Sequence, residues 1–363
     1  MNVGNTPYRP LFVYWGRRGA LSRFVLELAR AAGDKAVFSL SRQNELFGQV
    51  RSLGYPLVPV DTFESPMGAL LRLPRIFDIR KRTIEAIAHH RIDKVVVLMS
   101  HIWTPFLATA VQQANVSYAV VVHDAVAHSG DITALANPWL LQDALRADEV
   151  ITLSAHVATQ LSSRFPALAD RIRVLFHPTF ASDATMPAMA ASTRLPGFLF
   201  FGRIMAYKGL PLFVEACEIL RARGFEFTIG VAGEGSLRGV RHRLEALKAT
   251  IINRWIEANE VEGLLKNYDL MVVSNIEASQ SGVIALGLTY GLPPIATPVG
   301  GIIEQVEHER TGLLASDASA PALADAMQRI MTERQLLDRL RRGVQEHQQM
   351  LSMQRFLDAV TTR

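Results

Sequence analysis

Residues 198–216 read FLFFGRIMAYKGLPLFVEA, and the passage from an apolar run into a helical pattern inside this stretch decides the fold. Phe198–Phe201 is a run of four apolar residues, the length of a buried strand rather than of a helix. Gly202 and Arg203 end it, and Lys208 and Gly209 open the helix that follows. A strand that feeds directly into a helix belongs to a parallel sheet covered by helices. It also puts two cations and a helix N-terminus at the carboxyl edge of that sheet. The helix dipole and its free N–H groups favour an anion, and Arg and Lys neutralise its charge, so the combination suits a diphosphate.

The alternation continues in both directions. Downstream, Phe227–Val231, Leu270–Ser274 and Pro294–Thr297 are apolar runs, each followed by a helical stretch, and the C-terminal end reads as helices only. Upstream, the runs Leu11–Trp15, Ala36–Leu40, Leu57–Val60, Lys94–Met99, Tyr118–Val122, Glu149–Leu153 and Arg173–Phe176 are mostly separated by helical stretches. Between the halves, ASDATMPAMAASTRLP (181–196) is rich in Ala, Ser, Thr and Pro and has no period, as a linker does. The expected fold is α/β: two doubly wound Rossmann-like domains facing each other across a cleft. The expected boundaries are 1–182, a linker at 183–196, 197–345, and a C-terminal helix at 346–363 packing back on the first domain. Ligands of such sheets sit at the carboxyl ends of the strands.

At 363 residues the chain has material for two cores, and its 49% apolar and 20% charged content is that of an ordinary globular protein. The single cysteine, Cys217, in the apolar stretch FVEACEIL, excludes an internal disulfide or a cysteine zinc cluster and points to a reducing compartment. The N-terminal MNVGNTPYRPLFVYW lacks the layout of a secretory leader, and no window of about 20 residues is free of charges and breakers. A cytoplasmic protein is expected. The net charge of +4 is unevenly spread: Leu71–Lys94 holds seven basic and three acidic residues, a surplus equal to that of the whole chain. With its interleaved Leu and Ile residues, 70–94 reads as a basic amphipathic stretch. It suits peripheral contact with an anionic membrane at the inner face of the plasma membrane, or a solvated helix face packed on its own sheet. No nucleic-acid motif accompanies the charge.

Other strand ends carry polar loops. Val231–Ser236, VAGEGS, has two glycines that permit close backbone approach to a nucleotide, or simply turn the chain. Asn275–Val283, NIEASQSGV, places a glycine where a helix starts, so the N–H groups of Ser281, Gly282 and Val283 suit a phosphate. Ala296–Gly301 with Glu304 forms a further turn, and the first strand runs into Gly16-Arg17-Arg18-Gly19. Tyr118–Val122 ends in His123-Asp124, followed by His128 and Asp131. A histidine at that place is directed at the expected cleft. These four residues lack the spacing of the zinc motifs, no Asp-x-Asp occurs, and there is no P-loop. No metal and no cofactor are expected, protein cations taking the metal's place.

The ordered set GR…KG (202–209), VAGEG (231–235), EASQSGV (277–283), GLPPIATPVGGIIE (291–304) and RTGLL (310–314) resembles the retaining GT-B enzymes of glycosyltransferase family 4. The resemblance spans essentially the whole second domain. It implies that Arg203 and Lys208 grip the donor pyrophosphate, with Gly202, Gly233, Ser279, Gln280, Ser281, Gly282 and Val283 around the donor. It places Gly19 in the glycine loop near the transferred sugar, and His123 on the sugar or acceptor, with Asp124, His128 and Glu304 as further candidates. Where the family carries Glu-x7-Glu, Glu277 fits the first place but Ala285 stands eight residues on, and counting back from Gly291 puts Ala278 or Ser279 first. The sequence therefore reads as an ASQSG branch. Glu277 is its candidate sugar-site carboxylate, and Ser279 or Gln280 are candidates for the unassigned ribose contact.

The implied activity is metal-independent, retaining transfer of a sugar from a nucleoside-diphosphate sugar to a hydroxyl of a glycan. That acceptor is expected to be a lipid-linked intermediate of polysaccharide or glycolipid synthesis, and the catalytic set to be His123, Arg203, Lys208 and Glu277. Two other readings remain: a nucleotide-sugar epimerase of the same fold, and a catalytically inactive partner in a polysaccharide assembly complex. A two-domain NAD dehydrogenase lacks its Gly-x-Gly-x-x-Gly after the first strand.

Overall fold

The computed structural model describes residues 8–63, 68, 72–126, 137–180 and 195–362. His128, Asp131, Leu70, Leu71 and most of the 183–196 linker lie outside the described residues. The chain forms two units. One holds the described residues before His177 together with those from Met353 onward, and the other holds those of His177–Ser352.

The first unit is a sheet of seven strands: β1 (Pro10–Tyr14), β2 (Val37–Ser41), β3 (Leu57–Val60), β4 (Lys94–Val97), β5 (Ser117–Val122), β6 (Glu149–Thr152) and β7 (Ile172–Val174). All pairs are parallel, in the order β3-β2-β1-β4-β5-β6-β7. The second unit holds six: β8 (Gly197–Phe201), β9 (Thr228–Ala232), β10 (Thr250–Ile252), β11 (Leu270–Val273), β12 (Pro294–Ala296) and β13 (Leu313–Leu314). These are also parallel, in the order β10-β9-β8-β11-β12-β13. In each sheet the order reverses once, beside β1 and β4 in the first and beside β8 and β11 in the second. Loops at such a reversal leave in opposite directions and open a crevice at the carboxyl ends.

The strands read as unbroken apolar runs because both faces are covered. Phe198 and Phe200 pack on one side with Phe213, Cys217 and Val231, while Leu199 packs on the other with Met271, Val273 and Ile284. This is the period of two that a pleated strand imposes. Cys217 is buried there with its thiol pKa pushed up by desolvation, a small core residue rather than a nucleophile.

The basic stretch contains the helix Arg75–His90, which buries Ile76, Ile79, Ala86 and Ile87 and leaves Phe77 74% exposed, and Leu73 in the turn before it is 40% exposed. Two of its four cations are paired along the helix, Arg82 with Asp78 and Lys81 with Glu85. No helix among the described residues is long and apolar enough to cross a membrane.

Candidate functional site

In the second unit, the loops after β8 and β9 continue their pairing past the strand ends. Gly202 N–H donates to the Ala232 carbonyl at 2.9 Å and Ile204 N–H to the Glu234 carbonyl at 2.8 Å. Gly233 permits this approach: at its φ of 152°, a Cβ would stand 1.8 Å from the Gly202 oxygen. The chain then makes a single turn, Ala206–Lys208, and Gly209 follows in the left-handed region at φ 66°. A Cβ on Gly209 would lie 1.8 Å from the Ser274 oxygen, so this backbone is pressed against the loop after β11. Ser274 Oγ meets the Gly209 and Lys208 carbonyls at 2.9 and 3.2 Å, and Ile276 N–H donates to the Tyr207 carbonyl at 2.8 Å. The two loops flanking the strand-order reversal are thus bound together. They hold Lys208, half-buried, with Nζ 5.2 Å from the Tyr207 ring centroid. Arg203 is exposed and forms no ion pair among the described residues.

The loop after β11 leads into the helix Gly282–Thr289, whose N-cap is Ser281. Ser281 N–H, expected among the open phosphate donors, is instead taken by Gln305 Oε1 at 2.6 Å. The N–H groups of Gly282 and Val283 meet no acceptor among the described residues. Beside them Ser281 Oγ is buried without a hydrogen-bond partner, its residue only 1% exposed. A Cβ on Gly202 would come within 3.2 Å of Val283 Cγ2, so these donors stand against the β8 loop that carries Arg203. Ser279 is buried and Gln280 half-buried in the same loop, while Glu277 is exposed. The alternative first position, Ala278, is buried in the apolar cluster, and Ala285 and Leu286 belong to the helix. Glu304 is exposed on the short helix Ile302–Gln305, and Gly301 N–H donates to the Ala278 carbonyl at 3.2 Å.

At the corresponding edge of the first unit, the Gly16–Gly19 loop is held by residues that follow β2. Asn44 Nδ2 donates to the Gly16 carbonyl at 2.8 Å, and Gly19 N–H donates to Glu45 Oε1 at 2.8 Å. Gly19, the expected donor contact, therefore has its own N–H occupied by a carboxylate. Arg17 and Arg18 are exposed on this loop. His123 follows β5, and its Nε2 lies 2.8 Å from the Leu98 carbonyl, which fixes the proton on that nitrogen. Burial lowers its pKa, partly offset by that carbonyl and by the charge of exposed Asp124, so the ring is neutral at pH 7.

Sequence reasoning did not single out His101. It packs edge-on between Trp15 and Trp103 at centroid distances of 5.8 and 5.6 Å, and burial lowers its pKa to about 4. Its backbone N–H donates to Thr104 Oγ1 at 2.9 Å, and Thr104 in turn hydrogen-bonds Asp143. Asp143 is fully buried, and desolvation raises its pKa to about 6, opposed by hydrogen bonds from Thr104 and Tyr118. Glu45 and Gln305 were missed as well. Glu45 had a signal in its place just beyond a strand end, whereas Gln305 lies in no recognisable pattern. Among the described residues no group of three or more His, Cys, Asp or Glu side chains is arranged to hold a metal ion.

Residues 196–333 match the family described as glycosyl transferases group 1. The chain is 24% identical over 218 residues to the alpha-D-kanosaminyltransferase of Streptomyces kanamyceticus, 56% of each chain. It is 29% identical over 217 residues to the D-inositol 3-phosphate glycosyltransferase of Paenarthrobacter aurescens, 54% of this chain and 52% of that one. The chain spans about half the length of these curated relatives. Among solved structures, Anabaena Alr3699/HepE in complex with UDP-glucose superposes with a TM-score of 0.73 at 15% identity, covering 97% of this chain and 99% of that one. The sucrose-phosphate synthase of Thermosynechococcus elongatus gives 0.71 at 16% identity, covering 97% of each. The chain takes the GT-B fold of two parallel-sheet Rossmann-like units, and within the second unit residues 196–333 match the glycosyl transferases group 1 family.

Proposed function

We propose that this chain is a metal-independent, retaining glycosyltransferase that moves a sugar from a nucleoside-diphosphate sugar to a glycan hydroxyl. The acceptor is a lipid-linked intermediate of polysaccharide or glycolipid synthesis. One observation carries the reading: Arg203, Lys208, the open N–H groups of Gly282 and Val283, and the unpartnered Ser281 hydroxyl stand on loops tied together at one strand-order reversal. Two cations and oriented dipoles meet the charge that develops on a diphosphate leaving group, the largest electrostatic demand of the step. In the reaction the anomeric C–O bond to the diphosphate breaks and a bond to the acceptor oxygen forms on the same face. The hydroxyl proton passes to the departing phosphate oxygen. Neutral His123 orients a hydroxyl, and Glu277 is the candidate carboxylate at the sugar.

The cytoplasmic, peripheral placement rests on the start of the helix Arg75–His90, where exposed Phe77 and, in the turn just before the helix, exposed Leu73 lie close to Arg75 and Arg80. Such an apolar tip framed by cations suits an anionic membrane face. Thermal-shift measurements with UDP, GDP and ADP test the central claim. One of them should raise the melting temperature without added metal and unchanged by EDTA, and a protein stabilised by none would overturn it.

A further inference from the structure

An N-cap serine ordinarily turns its own hydroxyl onto the N–H groups of the first helical turn. Ser281 does not. Its side chain makes no capping bond, and its Oγ is buried with no partner. What holds the residue is the Gln305 side chain, whose Oε1 accepts from Ser281 N–H at 2.6 Å and whose Nε2 donates to the Ser281 carbonyl at 3.2 Å. Only the amide can do both, since a carboxylate cannot donate and an ammonium cannot accept. The planar amide thereby fixes both backbone groups of Ser281.

The clamp is itself braced. Gln305 ends the helix Ile302–Gln305, and Val306 after it is buried. Glu307 Oε1 then lies 3.1 Å from His347 Nδ1. On the other side Gly301 N–H is bound to the Ala278 carbonyl.

From this geometry we infer that Gln305 is a positioning residue for the donor diphosphate. It sets the first turn of the helix Gly282–Thr289 so that Ser281 Oγ and the N–H groups of Gly282 and Val283 stay free for the ligand. The inference rests on the diphosphate reading proposed above. Without the amide, Ser281 is released to adopt the ordinary N-cap arrangement, in which its hydroxyl binds the first-turn N–H groups and competes with phosphate for them. The helix keeps a cap in that case, so stability should hardly change while anion affinity falls.

The test uses the full chain and calorimetric binding of whichever of UDP, GDP or ADP binds wild type, beside the matching monophosphate. Gln305→Leu, which keeps the bulk and removes both hydrogen bonds, should weaken diphosphate binding about tenfold. It should also narrow the preference for diphosphate over monophosphate, with the melting temperature nearly unchanged. In a Ser281→Ala background, where no hydroxyl can compete, the same substitution should have a smaller effect. Gln305→Glu keeps the acceptor but loses the donor and adds a negative charge, so it should also bind the diphosphate more weakly than wild type, and it serves if the leucine variant fails to fold. Wild-type affinity in a folded Gln305 variant would overturn the inference and leave the function standing. A loss shared equally by mono- and diphosphate and matched by a fall in stability would also overturn it. A wild type that binds no nucleoside diphosphate would bring down both.

Discussion

At the edge of the second sheet a helix N-terminus is left open, with Arg203 exposed and Lys208 seated against Tyr207 close by. At the edge of the first, the glycine loop that starts the helix Ala20–Ala32 has a carboxylate, Glu45, on its Gly19 N–H. The two sheets share the same strand order apart from the extra edge strand β7 of the first, yet the electrostatics differ. A carboxylate on that loop already uses an N–H that an anion would need and repels a second negative charge. Around it stand His101 and His123, both neutral at pH 7, and the rings of Trp15 and Trp103. The fold provides two crevices, and on the function proposed above it is the open N–H groups and cations at the second that suit a polyanion.

That contrast can be broken. Lys208→Ala should lower kcat by about 10²–10³-fold with the fold intact, because it removes a cation from the leaving group. A near-wild-type rate would dissolve the difference between the two edges. Gly209→Ala should cost about 3–5 kcal/mol of stability in a chemical melt, since its Cβ would collide with the Ser274 carbonyl at a left-handed backbone position. A stable variant would mean that the two loops are not pressed together.

Glu45→Ala should cost about 1 kcal/mol, as loss of a capping acceptor does, and leave nucleoside-diphosphate affinity unchanged. Tighter diphosphate binding in this variant would show that the first edge also receives an anion.

The smallest effect is on pH dependence. The raised pKa of Asp143 gives stability that is present at low pH and lost as pH climbs from about 4 to about 6. The lowered pKa of His101 gives stability that is present above about 6.5 and lost as pH falls toward about 4. The two slopes oppose each other, so wild type should melt with a shallow dependence across that window. In Asp143→Asn the histidine slope should stand alone, with stability falling steadily on acidification. An unaltered profile would mean that Asp143 does not titrate across this window.

The sheets were legible wherever a strand is central and buried on both faces, because burial on both faces forces an unbroken apolar run, as in Leu11–Tyr14 or Phe198–Phe201. The strands that escaped notice, Thr250–Ile252 and Leu313–Leu314, are sheet-edge pieces of three and two residues. They are too short for any period to show. The helix Phe47–Ser52 was missed for a similar reason, since Val50 is its only buried residue. At the site, residues with a charge and a fixed motif position, such as Arg203 and Lys208, could be read from order and spacing. Gln305 could not, because it acts through a contact with the distant backbone of Ser281, and Glu45, which acts on Gly19 in the same way, showed only its place beyond a strand end.

The helix Met353–Thr361 belongs to the first unit although it follows the whole second unit in the chain. Lys94 Nζ and Arg173 share Glu149 and donate to the carbonyls of Val360 and Ala359, and Phe356 packs on Phe24 and Phe176. During synthesis, Lys94, Glu149 and Arg173 leave the ribosome long before the carbonyls they serve. At the usual 5–20 residues per second, the gap from Arg173 to Met353 is on the order of ten to forty seconds. For that time the first sheet carries a buried-type lysine without its final acceptor and an uncovered aromatic face. It is in this interval, rather than in the finished protein, that the N-terminal half is most exposed to aggregation and to proteases.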